Sequence, residues 1–224
     1  GIQLNDWIIS SKKAPICNSN EMERIQKNFG LPPPEMVFGN SRVTIQFKND
    51  FELNLNAYDA LARIDTSSSS SEKIKVAYAA EWKRKSVTNY TDIKDVVKPY
   101  DWTYTTTYRG TTNQTFETYE GDSLINMDLL KKQEPILFYD ENILYEDELA
   151  DNGTAVLSVR LRVMQSCFLI LQRFFLRVDD VLFRINDTRI FHEFGKDHVV
   201  REYLSKEAHF NDIRQVKNSG RMIK

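Results

Sequence analysis

Apolar residues recur along this chain with two periods, and the switches between them mark its elements. Met22, Ile25 and Phe29 fall on one face of a helix that Asn18 or Asn20 can cap, with Glu21 or Glu23 at the capping-box position and Gly30 as the stop. The LPPP run after it forces an extended connector. From Ser41 to Asn56 the period becomes two: Val43, Ile45 and Phe47 alternate with polar residues, Asn49-Asp50 turns the chain, and Phe51, Leu53 and Leu55 alternate again. That pattern predicts a hairpin, followed by a short helix over 56–64 with Asn56 as its N-cap.

The serine-rich stretch at 66–72 carries no packing signal and predicts a flexible surface loop. Ile74 to Trp82 predicts a strand. Lys98 to Thr112 predicts another, because it is dense in aromatic and β-branched residues, with Trp102, Tyr104, Thr106 and Tyr108 on one face and Thr103, Thr105 and Thr107 on the other. Asp122 or Ser123 can cap a helix over 124–133 that Pro135 ends, and 135–154 reads as strand, turn, strand and acidic tail, with Asn152-Gly153 a hairpin signal. The last β region is expected from Val156 to Asn186, then mixed helix and loop after His192, and a weakly ordered tail beyond about residue 205, where apolar residues thin out. Together these predict one α+β domain over 1–224: antiparallel β-sheets, sandwich-like, flanked by a few short helices.

Composition narrows the function classes. A chain of 224 residues supports one substantial core, and a formal charge of -2 gives no global basic field for nucleic acid or an anionic membrane. No apolar run approaches the roughly 20 residues of a membrane helix. No secretory signal is visible after Gly1, so the sequons at Asn89, Asn113, Asn152 and Asn186 read as chance matches. Cys17 and Cys167 suit a reduced intracellular protein better than a disulfide framework, and Cys167, opening the apolar CFLIL run, reads as a buried thiol. No phosphate loop, nucleophile elbow or HExxH is present, and the spacing of His192, Glu193, Asp197 and His198 fits no metal pattern. No cofactor or metal is expected.

The stretch RFFLRVDDVLFRINDTR, Arg173 to Arg189, carries the strongest chemistry. If Asp179-Asp180 is a two-residue turn, Val178 pairs with Val181, Leu176 with Phe183 and Phe174 with Ile185 on a core face. The other face then pairs Arg177 with Leu182, Phe175 with Arg184 and Arg173 with Asn186. SVRLRVM adds Arg160 and Arg162 opposite Val159, Leu161 and Val163. Arginine and aromatic residues interleaved on an exposed sheet are the composition of a protein-binding face. The plainer reading is that these arginines solubilise the sheet and pair with the acidic residues between Asp140 and Asp151. Asp187 leaves the hairpin beside Arg184 and Arg189, as a partner-facing carboxylate or a turn residue paired with Arg189. Two further readings, a hydrolase using clustered carboxylates and a single-strand nucleic-acid binder stacking on Phe175 and Trp102, each lack a motif.

KPYDWTYTT (Lys98 to Thr106), PEMVFGN (Pro34 to Asn40), the DAL of Asp59 to Leu61, YEDELADNG (Tyr145 to Gly153), SVRLRVM (Ser158 to Met164) and the arginine stretch occur in one order, and together they resemble the TOR signalling pathway regulator-like family. The resemblance runs from about Pro34 to Glu202. It implies an α+β fold on antiparallel sheets and a non-enzymatic regulator in TOR signalling. That regulator would bind the catalytic subunit of type 2A serine/threonine phosphatases, their Tap-type adaptor, or both, in the cytoplasm and with the nucleus also open. By position within matching motifs it implicates Asp59, Ile185 and Asp187, then Ile125. With the arginines, the expected site is Arg173, Arg177 and Arg184 on one sheet face, with Asp59, Asp187 and Arg189 near its edge. No nucleic acid or membrane partner is expected. Ser67 to Ser71 and Thr111 to Asp122 depart from the animal pattern, and Asp180 stands where a glycine would suit a tight turn.

Overall fold

A computed structural model describes residues 1–48, 50–66, 100–118, 120–121 and 124–213. Two strands, β1 (Ile2–Leu4) and β2 (Trp7–Lys12), lead into helix α1 (Ser19–Phe29). The Asn18 side chain accepts from the Glu21 amide at 3.1 Å and the Glu21 carboxylate accepts from the Asn18 amide at 2.8 Å, while Gly30 closes the helix at φ +69°. β3 (Met36–Val37), β4 (Arg42–Phe47) and β5 (Phe51–Asn56) follow, then helix α2 (Ala57–Leu61), capped by Asn56, and β6 (Thr111–Thr112). Helix α3 (Met127–Lys131) precedes the long strands β7 (Ile136–Asp147), β8 (Gly153–Met164), β9 (Cys167–Val178), β10 (Leu182–Glu193) and β11 (Val200–His209).

Among the described residues all of the strand pairings are antiparallel. They form a five-stranded sheet in the order β1-β2-β4-β5-β6 and a six-stranded sheet in the order β11-β10-β9-β8-β7-β3. One apolar cluster draws on both: Trp7, Ile9, Val43, Ile45, Leu53 and Leu55 from the small sheet, and alternate residues of β8 and β9 such as Leu157, Leu161, Phe168 and Phe174 from the large one. The α+β architecture with a few short helices is therefore the one that the periodicity predicts. Cys17 and Cys167 are both buried and unbridged.

The stretch around Trp102 differs from its expected strand. Among the described residues of 98–112, only Thr106, which bridges Ile64, and the short β6 pair at all. Tyr104 sits at φ +55°, and the Asp101 carboxylate folds the chain by accepting from the amide and hydroxyl of Thr103 at 3.0 and 2.6 Å. Residues of both expected faces are buried: Trp102, Thr103, Tyr104, Thr106 and Tyr108. The segment plugs the space between the sheets and is held by its carbonyls, since the Tyr145 hydroxyl donates to Tyr104 at 2.8 Å and the Gln172 amide to Tyr108 at 2.6 Å. Burial pushes the Tyr108 phenol up to about 12.

Other boundaries move for local reasons. Asn126 caps α3 by accepting from the Leu129 amide, so this helix is shorter than the expected 124–133; Asp122 and Ser123 lie outside the described residues. Instead of strand, turn and strand, 136–147 is one strand that absorbs its irregular pattern in two register shifts, which lets both Leu144 and Tyr145 be buried. Asn152-Gly153 does close a hairpin, with Leu149, Ala150 and Asp151 all at positive φ. The last β region runs past Asn186 to Glu193 and resumes at 200–209, so the expected mixed segment after His192 is a short loop followed by strand, and of the expected tail 206–209 are paired in β11. Asn49, the serine run from Ser67, the expected strand at 74–82, Lys98-Pro99 and residues 214–224 lie outside the described residues.

Two stability predictions follow from this packing. A Cβ at Gly153 would overlap the Arg177 carbonyl oxygen, so Gly153→Ala is expected to cost about 1–3 kcal/mol in denaturant unfolding. His192 is 3% exposed among Trp7, Phe168 and Phe194, with Nδ1 2.9 Å from the His198 carbonyl oxygen. Burial pulls its pKa below the ordinary histidine value of 6.5. The unfolded chain then binds this proton more readily, so the contribution is complete above that ordinary value and is lost as pH falls through it toward the folded pKa. Unfolding free energy measured from about pH 7.5 to about pH 5.5 should fall more steeply for the natural chain than for His192→Phe.

Candidate protein-binding face

Three residues, Asp179, Asp180 and Val181, connect β9 to β10, and Leu182 pairs with Val178. Asp180 takes φ +60°, and the Val181 amide donates to the Val178 carbonyl at 3.0 Å. The expected two-residue turn is thus one residue too short, and a one-residue change exchanges the faces of β10. Leu182, Thr188, Ile190 and His192 go to the core, whereas Phe183, Ile185, Asp187, Arg189 and Phe191 share the outer face with Arg177, Phe175, Arg173, Leu171 and Leu169 of β9.

Asp187 lies at the centre of that face, directly opposite Arg173. Its carboxylate is 1% exposed and accepts both Nε and Nη2 of Arg173, at 2.7 and 2.8 Å, in a bidentate fork. This hydrogen bonding holds the Arg173 guanidinium above its ordinary pKa. Arg189 lies 3.7 Å from the same carboxylate and 3.8 Å from that of Glu202 of β11. Around this row lie the partly buried apolar residues Val156, Leu171, Phe175, Ile185 and Leu204. Arg160 pairs with Glu141 at 2.8 Å and Arg177 with Asp179 at 2.7 Å, both well exposed. The acidic segment therefore neutralises Arg160, as the plainer reading of the sequence has it, but Arg173 pairs with Asp187 from within the arginine stretch, and Arg189 with Asp187 and Glu202.

Ile125 joins this face at one end. Its amide donates to Glu202 at 3.0 Å, its side chain packs with Leu129, Met164, Cys167 and Phe191, and it lines a cavity of about 480 Å3 with Phe191, Lys196, His198 and Val200. Two expected members are elsewhere. Arg184 lies on the inner side, opposite Leu176, and donates to Thr105 and Glu207, each at 2.8 Å. Asp59, on α2 beside the small sheet, accepts from the Asn56 side-chain amide at 2.8 Å and the Thr111 hydroxyl at 2.6 Å. Among the described residues, no hydrogen bond or ion pair joins Asp59 to the arginine row.

The sequence reading missed Glu202, Leu204 and Lys206, the β11 border of the face. The signal was the alternation of Val200, Glu202, Leu204, Lys206 and Ala208, which charged residues on both faces obscure.

The two ion pairs of β9 should differ in worth. Arg173→Ala leaves Asp187 buried with only a long contact to Arg189 and is expected to cost about 2 kcal/mol of unfolding free energy. Arg177→Ala removes an exposed pair and should cost about 0.5 kcal/mol or less. Chemical denaturation of both variants at neutral pH measures the difference.

Residues 36–214 match the model of the TIP41-like family. The chain is 43% identical over 230 residues to the type 2A phosphatase activator TIP41 of Saccharomyces cerevisiae, covering 95% of this chain and 64% of that protein. It is 40% identical over 221 residues to the TIP41-like protein of Homo sapiens, covering 94% and 77%, and 39% identical over 227 residues to that of Dictyostelium discoideum, covering 96% and 81%. It thus spans slightly less than two thirds of the yeast relative's length. With the family model matching most of its residues and relatives at this identity along nearly all of it, the chain belongs to the TIP41-like family.

Proposed function

We propose that this chain is a non-enzymatic regulator that docks the catalytic subunit of a type 2A serine/threonine phosphatase on the outer face of its six-stranded sheet. The observation that carries the reading is that face itself: Arg173, Asp187 and Arg189 in one ion-paired row, bordered by Phe175, Ile185 and Leu204. An ordered guanidinium row set among apolar side chains is the composition of an interface centre. The partner's class comes from the yeast relative, which is named as an activator of type 2A phosphatases. The proposal extends to a role in TOR signalling in the cytoplasm, with a Tap-type adaptor as a second partner; the motif resemblance from Pro34 to Glu202 is what supports it.

Calorimetric titration with a purified type 2A phosphatase catalytic subunit, alone and with the Tap-type adaptor, tests the reading. Direct binding is expected at roughly micromolar Kd or tighter, about -8 kcal/mol or better. Ile185→Asp, which puts an unpaired charge on the apolar part of the face, should weaken it at least about tenfold. Binding only in the presence of the adaptor would move the contact to the adaptor, and no binding in either case would overturn the reading.

A further inference from the structure

Building on the phosphatase-docking reading, we propose that Asp187 is a positioning residue that never touches the partner: it fixes Arg173 and Arg189 on the sheet, and Arg189 receives a carboxylate of the partner. Access argues first. The Asp187 side chain is 1% exposed, and the Arg173 fork occupies both of its oxygens. A partner donor could reach them only by displacing that guanidinium, which would give up two charge-assisted hydrogen bonds. The side chains of Arg173 and Arg189 remain 37% and 40% exposed, so they are what an approaching surface meets.

The donors divide unequally between the two arginines. Arg173 spends Nε and Nη2 on Asp187. Arg189 sits between Asp187 and Glu202 at 3.7 and 3.8 Å, distances of attraction without a hydrogen bond, and among the described residues its guanidinium donates none. Both neighbouring carboxylates orient it, and its planar fork is left for an outside acceptor. Beside Leu171 and Leu204, closure of an interface would strip water from this cation, which is costly unless the partner supplies a hydrogen-bonding anion. A carboxylate matches the fork in two parallel bonds. Asp187 and Glu202 already balance the charges of Arg173 and Arg189, so the incoming carboxylate is held by the unspent hydrogen-bond donors of Arg189 and no more than one negative charge is accommodated.

A double-mutant cycle on the full chain reads this directly. Kd for a type 2A phosphatase catalytic subunit would be measured for the natural chain, Asp187→Asn, Arg173→Ala/Arg189→Ala, and all three substitutions together, with thermal melting of each. The expected result is a loss of about tenfold or more for Asp187→Asn in the natural background and less than about twofold once both arginines are gone. A penalty that survives removal of the arginines would mean that Asp187 itself touches the partner and would overturn the proposal. A merely structural role would lower the melting temperature without this non-additivity, and so would overturn it as well. Arg189→Ala alone, at an exposed position where the fold is not at stake, should weaken binding and reduce its dependence on salt. Unchanged affinity and salt dependence in that variant would overturn the carboxylate contact while leaving phosphatase docking intact. If the natural chain does not bind at all, both fall together.

Discussion

The buried fork between Asp187 and Arg173 and the register of the β9–β10 hairpin require each other. With three residues in the turn, Asp187 lies opposite Arg173, Thr188 opposite Gln172, Ile190 opposite Ile170 and His192 opposite Phe168. With two, every pair would slip by one: Asp187 would face Gln172 and Arg189 would face Ile170 on the core side. That places Asp187 and Arg189 in the hydrophobic layer, with Asp187 cut off from the Arg173 fork, at a cost of several kcal/mol. A strained Asp180 at φ +60° costs on the order of 1–2 kcal/mol, so the longer turn wins by a wide margin.

The same register explains why one arginine of the stretch leaves the candidate site. Arg184, on the inner side near the turn, is spent on Thr105 and Glu207. It thereby ties the Trp102 plug to the β10–β11 border, together with Arg109 stacked over the Tyr203 ring at 3.7 Å. The plug meets the large sheet again through the Tyr145 hydroxyl and the Gln172 amide. Irregular backbone in a core needs its carbonyls satisfied by side chains, and those two donors do this from two different strands.

What could be read from the chain divides along the range of the forces involved. Caps are local, so Asn18 with Glu21, Gly30 and Asn56 were legible residue by residue. The hairpin register was not, because near the turn the odd positions Val181, Phe183 and Ile185 are all apolar whereas the even ones are Leu182, Arg184 and Asn186, so the local pattern favours the parity that the strand does not adopt. Only Thr188, Ile190 and His192, far along β10, decide it against Asp187 and Arg189. Trp102 to Tyr108 has strand composition, but Thr103 is buried along with Trp102 and Tyr104, and Asp101 breaks the pleat, which no count of β-branched residues reveals. Most of the site's arginines were visible as a cluster, while β11 stayed hidden because an edge strand carries charges that discourage unwanted pairing. Asp59 came from family resemblance alone, and its carboxylate serves the cap of α2 and Thr111.

An ion-paired row on an otherwise open sheet has a mechanical consequence for docking. A free arginine loses on the order of 1–2 kcal/mol of rotamer freedom when a partner immobilises it. On this face that loss has largely been taken during folding for Arg173, which Asp187 already holds at both nitrogens, and in part for Arg189, which two carboxylates flank. The sheet beneath them is continuous through five long strands, so the spacing of the row is fixed by backbone hydrogen bonds and cannot adapt. Such a surface gains affinity only for a partner whose acceptor already sits at the matching height above the sheet. On the proposed docking reading, specificity for one class of partner would follow from that rigidity more than from the number of charges, with the carboxylate that sets the geometry held beneath the arginines.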